Sequence, residues 1–196
     1  NSHSTKVRQS LAQKVWALLS KGQEIVVKLP PAARKMKHRI HINIGSNQNR
    51  RQNIAQALDA LRLNFFDIVC SDIFESEAAG FEGADFYNMG VNATTDLSIA
   101  DVLNILHTIE DNQGRDRSQA KFSARGIDLD LVLYDAVIDK ENNLPRDDIL
   151  KYNFVLAPLA QLNPEGVHPL EKKDYRQLLA TTAPLQSYNI DFLKQD

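Results

Sequence analysis

Cys70 is the single cysteine in 196 residues, so the chain has no disulfide framework and no thiolate metal site. Its eight glycines form neither a Gly-x-x-x-x-Gly-Lys loop nor a Gly-x-Gly-x-x-Gly fingerprint, which removes two common ways of holding a nucleotide. The five histidines show no ligand spacing, so a metal centre built on imidazole is unsupported. Apolar runs fall well short of a membrane span. One buried-looking thiol and the lack of a secretory signal place the expected home in a reducing cytoplasm. Acids outnumber bases by 25 to 23, a balance that argues against a nucleic-acid binder.

Charge is unevenly spread. Residues 1–39 hold nine of the 23 bases and a single acid, Glu24. Val7, Leu11, Val15, Leu18 and Leu19 follow helical spacing there, with Gly22 where a helix would end. This divides the chain into a basic, helical N-terminal extension over residues 1–38 and a main domain over residues 39–196. The extension is either a packing appendage or a basic amphipathic helix for a partner or membrane surface.

From Arg39 onward the pattern is regular. Ile40, Ile42 and Ile44 alternate with His41 and Asn43, predicting a half-buried strand that ends at Gly45-Ser46-Asn47. Ile54, Ala57, Leu58 and Leu61 mark a helix. Phe65 to Phe74 reads as a second strand. Phe86 to Thr94 reads as a third, with Tyr87, Met89, Val91 and Ala93 on its apolar side. Ser98 and Asp101 suit the start of a helix whose stripe is Ile99, Val102, Leu103 and Leu106. Ile127 to Tyr134 predicts a fourth strand, with Ile127, Leu129, Leu131 and Leu133 facing inward. The order β-α-β-β-α-β is that of an α+β, ferredoxin-like core. Loops and short elements follow, with an apolar run at Phe154 to Leu159 and a last helix near Lys172 to Leu179. The strands leave one polar face, carrying His41, Asn43, Phe86, Asn88, Asp128 and Asp130.

The chemistry concentrates between Glu110 and Asp130. Arg115, Arg117, Lys121 and Arg125 place four cations in eleven residues, followed at once by Asp128 and Asp130. Alternate residues of a strand share a face, so the two carboxylates point the same way. Such a pair can share hard, oxygen-loving cations such as Mg²⁺, and a basic loop beside it suits the grip on a polyphosphate. A solvated charged turn followed by a strand with an acidic outer face is the other reading these residues allow.

Arg125-Gly-Ile-Asp128-Leu-Asp130-Leu-Val-Leu-Tyr134 resembles the signature of the hydroxymethyldihydropterin pyrophosphokinases. Further landmarks of that family follow in order. They are Ile44-Gly45-Ser46-Asn47, Phe74-Glu75-Ser76-Glu77, Phe86-Tyr87-Asn88, Ile109-Glu110, Gly114-Arg115-Asp116-Arg117 and Phe154-Val155-Leu156-Ala157-Pro158-Leu159. The resemblance spans roughly residues 39 to 165. It implies transfer of diphosphate from ATP to the hydroxymethyl group of a dihydropterin, releasing AMP, in folate biosynthesis. It further implies that Asp128 and Asp130 hold two magnesium ions and that Arg115 and Arg125 hold the moving phosphates. His107, Glu110, Arg117, Lys121 and Arg146 would lie against ATP. Phe86 and Phe154 would sandwich the pterin, and Asn88 and Ser76 would line its polar edge. ATP and the pterin are then the partners of a monomer, or of a chain joined through its extension to another protein.

The chain also departs from the family's pattern. Arg146 stands where an imidazole is usual, Tyr152 where an arginine is expected, and Phe122 where a tryptophan is common. These changes surround ATP, not the acid pair or the pterin pocket. They keep two alternatives open: a non-catalytic nucleotide- or pterin-binding paralogue, and a diphosphotransferase for another aromatic alcohol.

Overall fold

The computed structural model describes residues 37–78, 83–113 and 126–194. The expected N-terminal helix and the cations Arg115, Arg117, Lys121 and Arg125 lie outside the described residues. Strands β1 (His38–Ser46), β2 (Phe66–Ser76), β3 (Phe86–Thr95) and β4 (Asp128–Tyr134) alternate with helices α1 (Arg50–Asn64) and α2 (Ile99–Asn112) in the expected β-α-β-β-α-β order. The sheet runs β4-β1-β3-β2-β5, all neighbours antiparallel, with the short β5 (Gln186–Tyr188) on the far edge.

The first core lies between α1, α2 and one sheet face. Ile40, Ile42 and Ile44 are buried from β1, and Tyr87, Met89, Val91 and Ala93 from β3, as their alternation requires. Ile54, Ala57, Leu58 and Leu61 supply the buried stripe of α1. Each fully buried Ile or Leu stabilises the fold by about 1.5–3 kcal/mol through removal of apolar surface from water. Helix α2 starts at Ser98, whose Oγ accepts the Asp101 N–H at 3.2 Å. That bond satisfies one amide of the first turn, and Asp101 itself lies favourably at the positive end of the helix.

Strict alternation fails in β4. The register between β1 and β4 slips between His41 and Ile42, so Ile42 faces Leu131 while His41 faces Leu133. Val132 lies in the second core, on the face its alternation with Asp128 and Asp130 gives, and the extra residue turns Tyr134 into the first core, where its hydroxyl donates to the Leu97 carbonyl at 2.7 Å. Leu133, expected to face inward, packs against the second core instead.

The other sheet face is also partly covered, contrary to the polar surface that alternation predicts. After the one-turn helix α3 (Asp148–Lys151), helix α4 (Asn153–Leu162) packs on β2 and β3 and buries Val155, Leu156, Leu159 and Ala160 in the second core. The last helix, α5 (Tyr175–Leu179), packs on α4 and is shorter than the stretch from Lys172 suggests. A Cβ on Gly90 would stand 2.8 Å from Pro158 Cβ and 2.8 Å from the His41 ring, so only glycine lets α4 come this close. None of the helices among the described residues is long and apolar enough to cross a membrane.

A polar chain fastens this contact. His41 Nδ1 pairs with Asn92 Oδ1 at 2.7 Å, and the Asn92 and Asn163 amides exchange hydrogen bonds at 2.9 and 3.1 Å. Gln161 adds two bonds to Asp72, at 2.9 Å each. Burial opposes charge on His41 and lowers its pKa to about 4, against the pull of Asn92 in the other direction. The unfolded chain therefore binds a proton at this residue between pH 6.5 and 4 that the folded chain refuses. His41 contributes stability that is complete above pH 6.5 and is lost as the pH falls toward 4, at most about 3 kcal/mol. In urea unfolding, His41→Gln should weaken the fall in stability between pH 7 and pH 4.5. A fall as steep as in the parent chain would show that other groups carry it.

Candidate active site

The antiparallel register sets the uncovered part of the polar face out in rows. Asp128, Gly45, Asn88 and Phe74 lie side by side across β4, β1, β3 and β2. Asp130, Asn43 and Gly90 form the next row, whose Gly90 end lies under Pro158 of α4, and Phe86 faces Ser76 at the other end. Neighbouring strands stand about 4.8 Å apart, so the Asp128 and Asn88 backbones are roughly 10 Å apart across Gly45. A Cβ on Gly45 would meet Asn88 Oδ1 at 3.5 Å and Phe86 Cδ1 at 3.8 Å. Its missing side chain leaves an opening between the carboxylates and the Asn88 amide.

Asp130 feels the crowding of charge most. Burial, then the Asp128 carboxylate, push its pKa up to about 7; Asp148 and Glu110 add to this, and Arg146 opposes it. A carboxylate pushed toward its neutral form by burial and a neighbouring carboxylate marks a site that favours a cation. Among the described residues no three or more His, Cys, Asp or Glu side chains gather as a complete metal cage. The donors present are oxygen. Asn43, next to Asp130 in register, adds a buried Oδ1 without a hydrogen-bond partner. This set fits Mg²⁺, which takes one or two carboxylates and completes its octahedron with water and substrate phosphate.

Arg146, expected against ATP, lies on the acid pair. Its Nη2 is 2.8 Å from Asp130 Oδ1 and its Nε donates to Asp148 Oδ2 at 2.8 Å. Its backbone N–H donates to the Val132 carbonyl at 3.0 Å, which ties it to β4. Glu110 is buried, and its Oε1 accepts the Leu129 N–H at 2.9 Å. That bond holds the outer edge of β4 between the two aspartates. His107 is exposed one turn earlier on α2.

On the other side of Gly45, Asn88 is buried and its Nδ2 donates to Ser76 Oγ at 3.0 Å. Fixing the amide nitrogen on Ser76 orients Oδ1 toward the opening. Phe86 is half-buried at the start of β3. Phe154, in the first turn of α4, is half-buried and stacks on Tyr152 with centroids 4.9 Å apart and planes 18° from parallel. The structure thus brings Ser76, Phe86, Asn88, Asp128 and Asp130 onto one face.

Several further residues, none of them among the expected site residues, support this face. Arg50 pairs with Glu75 at 2.8 Å and donates to the Asp85 carbonyl at 3.0 Å, fixing the approach to Phe86. Ser46 Oγ and Asn53 Nδ2 both donate to the Gly126 carbonyl, anchoring the chain just ahead of Asp128. Ser46 does stand in the Gly45-Ser46-Asn47 landmark. For Asn53 the available signal is a polar residue on the free side of α1.

The profile of the 7,8-dihydro-6-hydroxymethylpterin-pyrophosphokinase family matches residues 41–164. The 2-amino-4-hydroxy-6-hydroxymethyldihydropteridine pyrophosphokinase of Aquifex aeolicus is 32% identical over 143 residues, 70% of this chain and 88% of the relative. A folate synthesis bifunctional protein of Arabidopsis thaliana is 30% identical over 126 residues, 62% of this chain but 26% of that longer protein. A crystal structure of Plasmodium falciparum HPPK-DHPS shares the fold at a TM-score of 0.60 and 12% identity, over 76% of this chain and 46% of that one. With its matched segment running from β1 through α4, the chain belongs to the 7,8-dihydro-6-hydroxymethylpterin-pyrophosphokinase family.

Proposed function

We propose that this chain transfers the β,γ-diphosphoryl group of ATP to the hydroxymethyl oxygen of 6-hydroxymethyl-7,8-dihydropterin, an ATP-dependent diphosphokinase step of folate biosynthesis. The observation that carries the reading is the row Asp128–Gly45–Asn88, which sets a carboxylate pair and a positioned amide on either side of a gap. The pterin lies between Phe86 and Phe154, where aromatic faces favour a flat bicyclic ring. Asn88 Oδ1 accepts from the polar edge of the ring, with its Nδ2 held by Ser76. Asp128 and Asp130 would hold two magnesium ions with the polyphosphate, and magnesium there would offset the charge that gathers on the phosphates.

The substrate hydroxyl attacks the β-phosphorus in line. The new bond joins the hydroxymethyl oxygen to Pβ, the hydroxyl proton passes to solvent, the bond from Pβ to the α,β-bridging oxygen breaks, and AMP leaves with that oxygen. Arg115 and Arg125 hold the moving phosphates, while Arg117, Lys121 and the exposed His107 lie along the nucleotide. Glu110 acts through the backbone of β4 as a positioning residue. No side chain is assigned as general base, so most of the acceleration comes from positioning and electrostatics. With ATP, Mg²⁺ and the dihydropterin, AMP should appear in step with pterin consumption. ADP as the nucleotide product, or pterin binding without turnover, would contradict this reading.

The domain that does this begins near residue 39, where the composition changes and just before the family match begins. The basic extension expected over residues 1–38, whose last residue His38 already opens β1, is either an appendage or a link to another protein. A chain lacking residues 1–35 should keep its urea midpoint and kcat within about twofold, the range expected of changes outside core and site. Loss of most activity would make the extension part of the catalytic unit.

A further inference from the structure

We infer that Arg146 is a built-in counter-cation that competes with the divalent metal for Asp130. The inference rests on the reading of Asp128 and Asp130 as metal ligands. The guanidinium is held at both ends: Nη2 on Asp130 Oδ1 and Nε on Asp148 Oδ2, each at 2.8 Å. The side chains of Arg146, Asp130 and Asp148 are 27%, 27% and 26% exposed, so water screens the contacts less than on an open surface. The backbone bond from Arg146 to Val132 fixes the base of the side chain beside the strand that carries Asp130.

A magnesium ion needs a carboxylate oxygen at about 2.0–2.1 Å. At Asp130 Oδ1 it meets an oxygen already engaged by a permanently charged group, and the two cations repel. Metal binding therefore weakens the Asp130–Arg146 contact. Asp148 gives the displaced guanidinium a second anchor through Nε, and the freed Nη atoms can then turn to a phosphate oxygen, a pairing that suits the arginine fork. The partner exchange reconciles the position of Arg146 on the acid pair with a role against ATP. It also means that the chain loads metal against an internal ion pair.

The test is a titration of the full chain with Mn²⁺ alone, followed by the electron paramagnetic resonance of free metal. Arg146→Met keeps the length of the side chain and removes its charge. It should bind Mn²⁺ about tenfold more tightly than the parent, the factor that corresponds to one hydrogen bond between charged groups. Lys151→Met removes a nearby cation that pairs with Asp147 and not with Asp130, and should leave the affinity unchanged. If Arg146→Met does not fold by circular dichroism, Arg146→Gln carries the same expectation. Equal or weaker Mn²⁺ binding in the Arg146 variant overturns the inference while leaving the metal site standing, as does an equal gain in Lys151→Met. If no protein binds Mn²⁺ even with a non-hydrolysable ATP analogue present, the metal reading itself falls, and this inference with it.

Discussion

Asp128→Asn and Asp130→Asn should each lower kcat by about 10²–10³-fold, the usual cost of losing one electrostatic partner of a transition state. Each substitution keeps the shape of the side chain and removes one formal charge from the cation site. Folding should survive, for reasons that differ from those of an ordinary ion pair. In the metal-free fold Asp130 has a pKa raised to about 7 by burial and by Asp128, so its ionised form is disfavoured there. A group with a raised pKa contributes stability below its unfolded value and loses it as the pH climbs toward the folded one. Asp130→Asn, which cannot ionise, should thus be at least as stable as the parent near pH 7 without metal. Asp59→Asn, on the exposed surface of α1, is the control and should be nearly neutral in both assays. Asp135 is unsuitable despite its place just past β4, because its carboxylate holds the Arg39 amide and the His38 ring at 2.7 Å each. Normal turnover in either strand variant, with unchanged Mg²⁺ dependence, would leave the acid pair as a polar strand face.

Asn88→Ala should raise the KM for the dihydropterin by about 10–10²-fold, in line with one or two lost hydrogen bonds in a buried site. The KM for ATP should barely move. Asn88 is buried in the floor of the site, and its Nδ2 is spent on Ser76, which leaves Oδ1 as the atom that faces the opening beside Gly45. Ser76→Ala should give a smaller rise, because it frees the amide without removing it. Equal losses toward pterin and ATP would mean that Asn88 supports the sheet and does not read the ring.

Much of this site is legible in the amino-acid sequence because it depends on short spacings. Asp128 and Asp130 share a face by the geometry of any strand, and so do Phe86 and Asn88. The helix stripes of α1 and α2 repeat at the expected interval. Longer-range features are not legible. The run Phe154 to Leu159 is apolar throughout and contains Pro158, so neither period nor propensity distinguishes helix α4 from a loop. The cover it gives to His41 and Asn92 follows from that tertiary contact alone. The slip in β4 depends on pairing with β1, which no single strand reveals, and it moves Leu133 and Tyr134 to the faces opposite those predicted. β5 is three residues long, too short for alternation to show. The Asp130–Arg146–Asp148 contact joins a strand to a loop beyond it; the sequence shows only that an arginine stands where an imidazole is usual.

On this face both terminal phosphorus atoms of ATP move together from the nucleotide to the pterin in the proposed reaction. ATP labelled with ³²P at the β position tests it most directly, with Mg²⁺ and the dihydropterin present and the products separated after a single turnover. The β label should leave the nucleotide and appear in the pterin with the parent chain and not with Asp130→Asn. A β label that stays with the nucleotide while pterin is phosphorylated would contradict it.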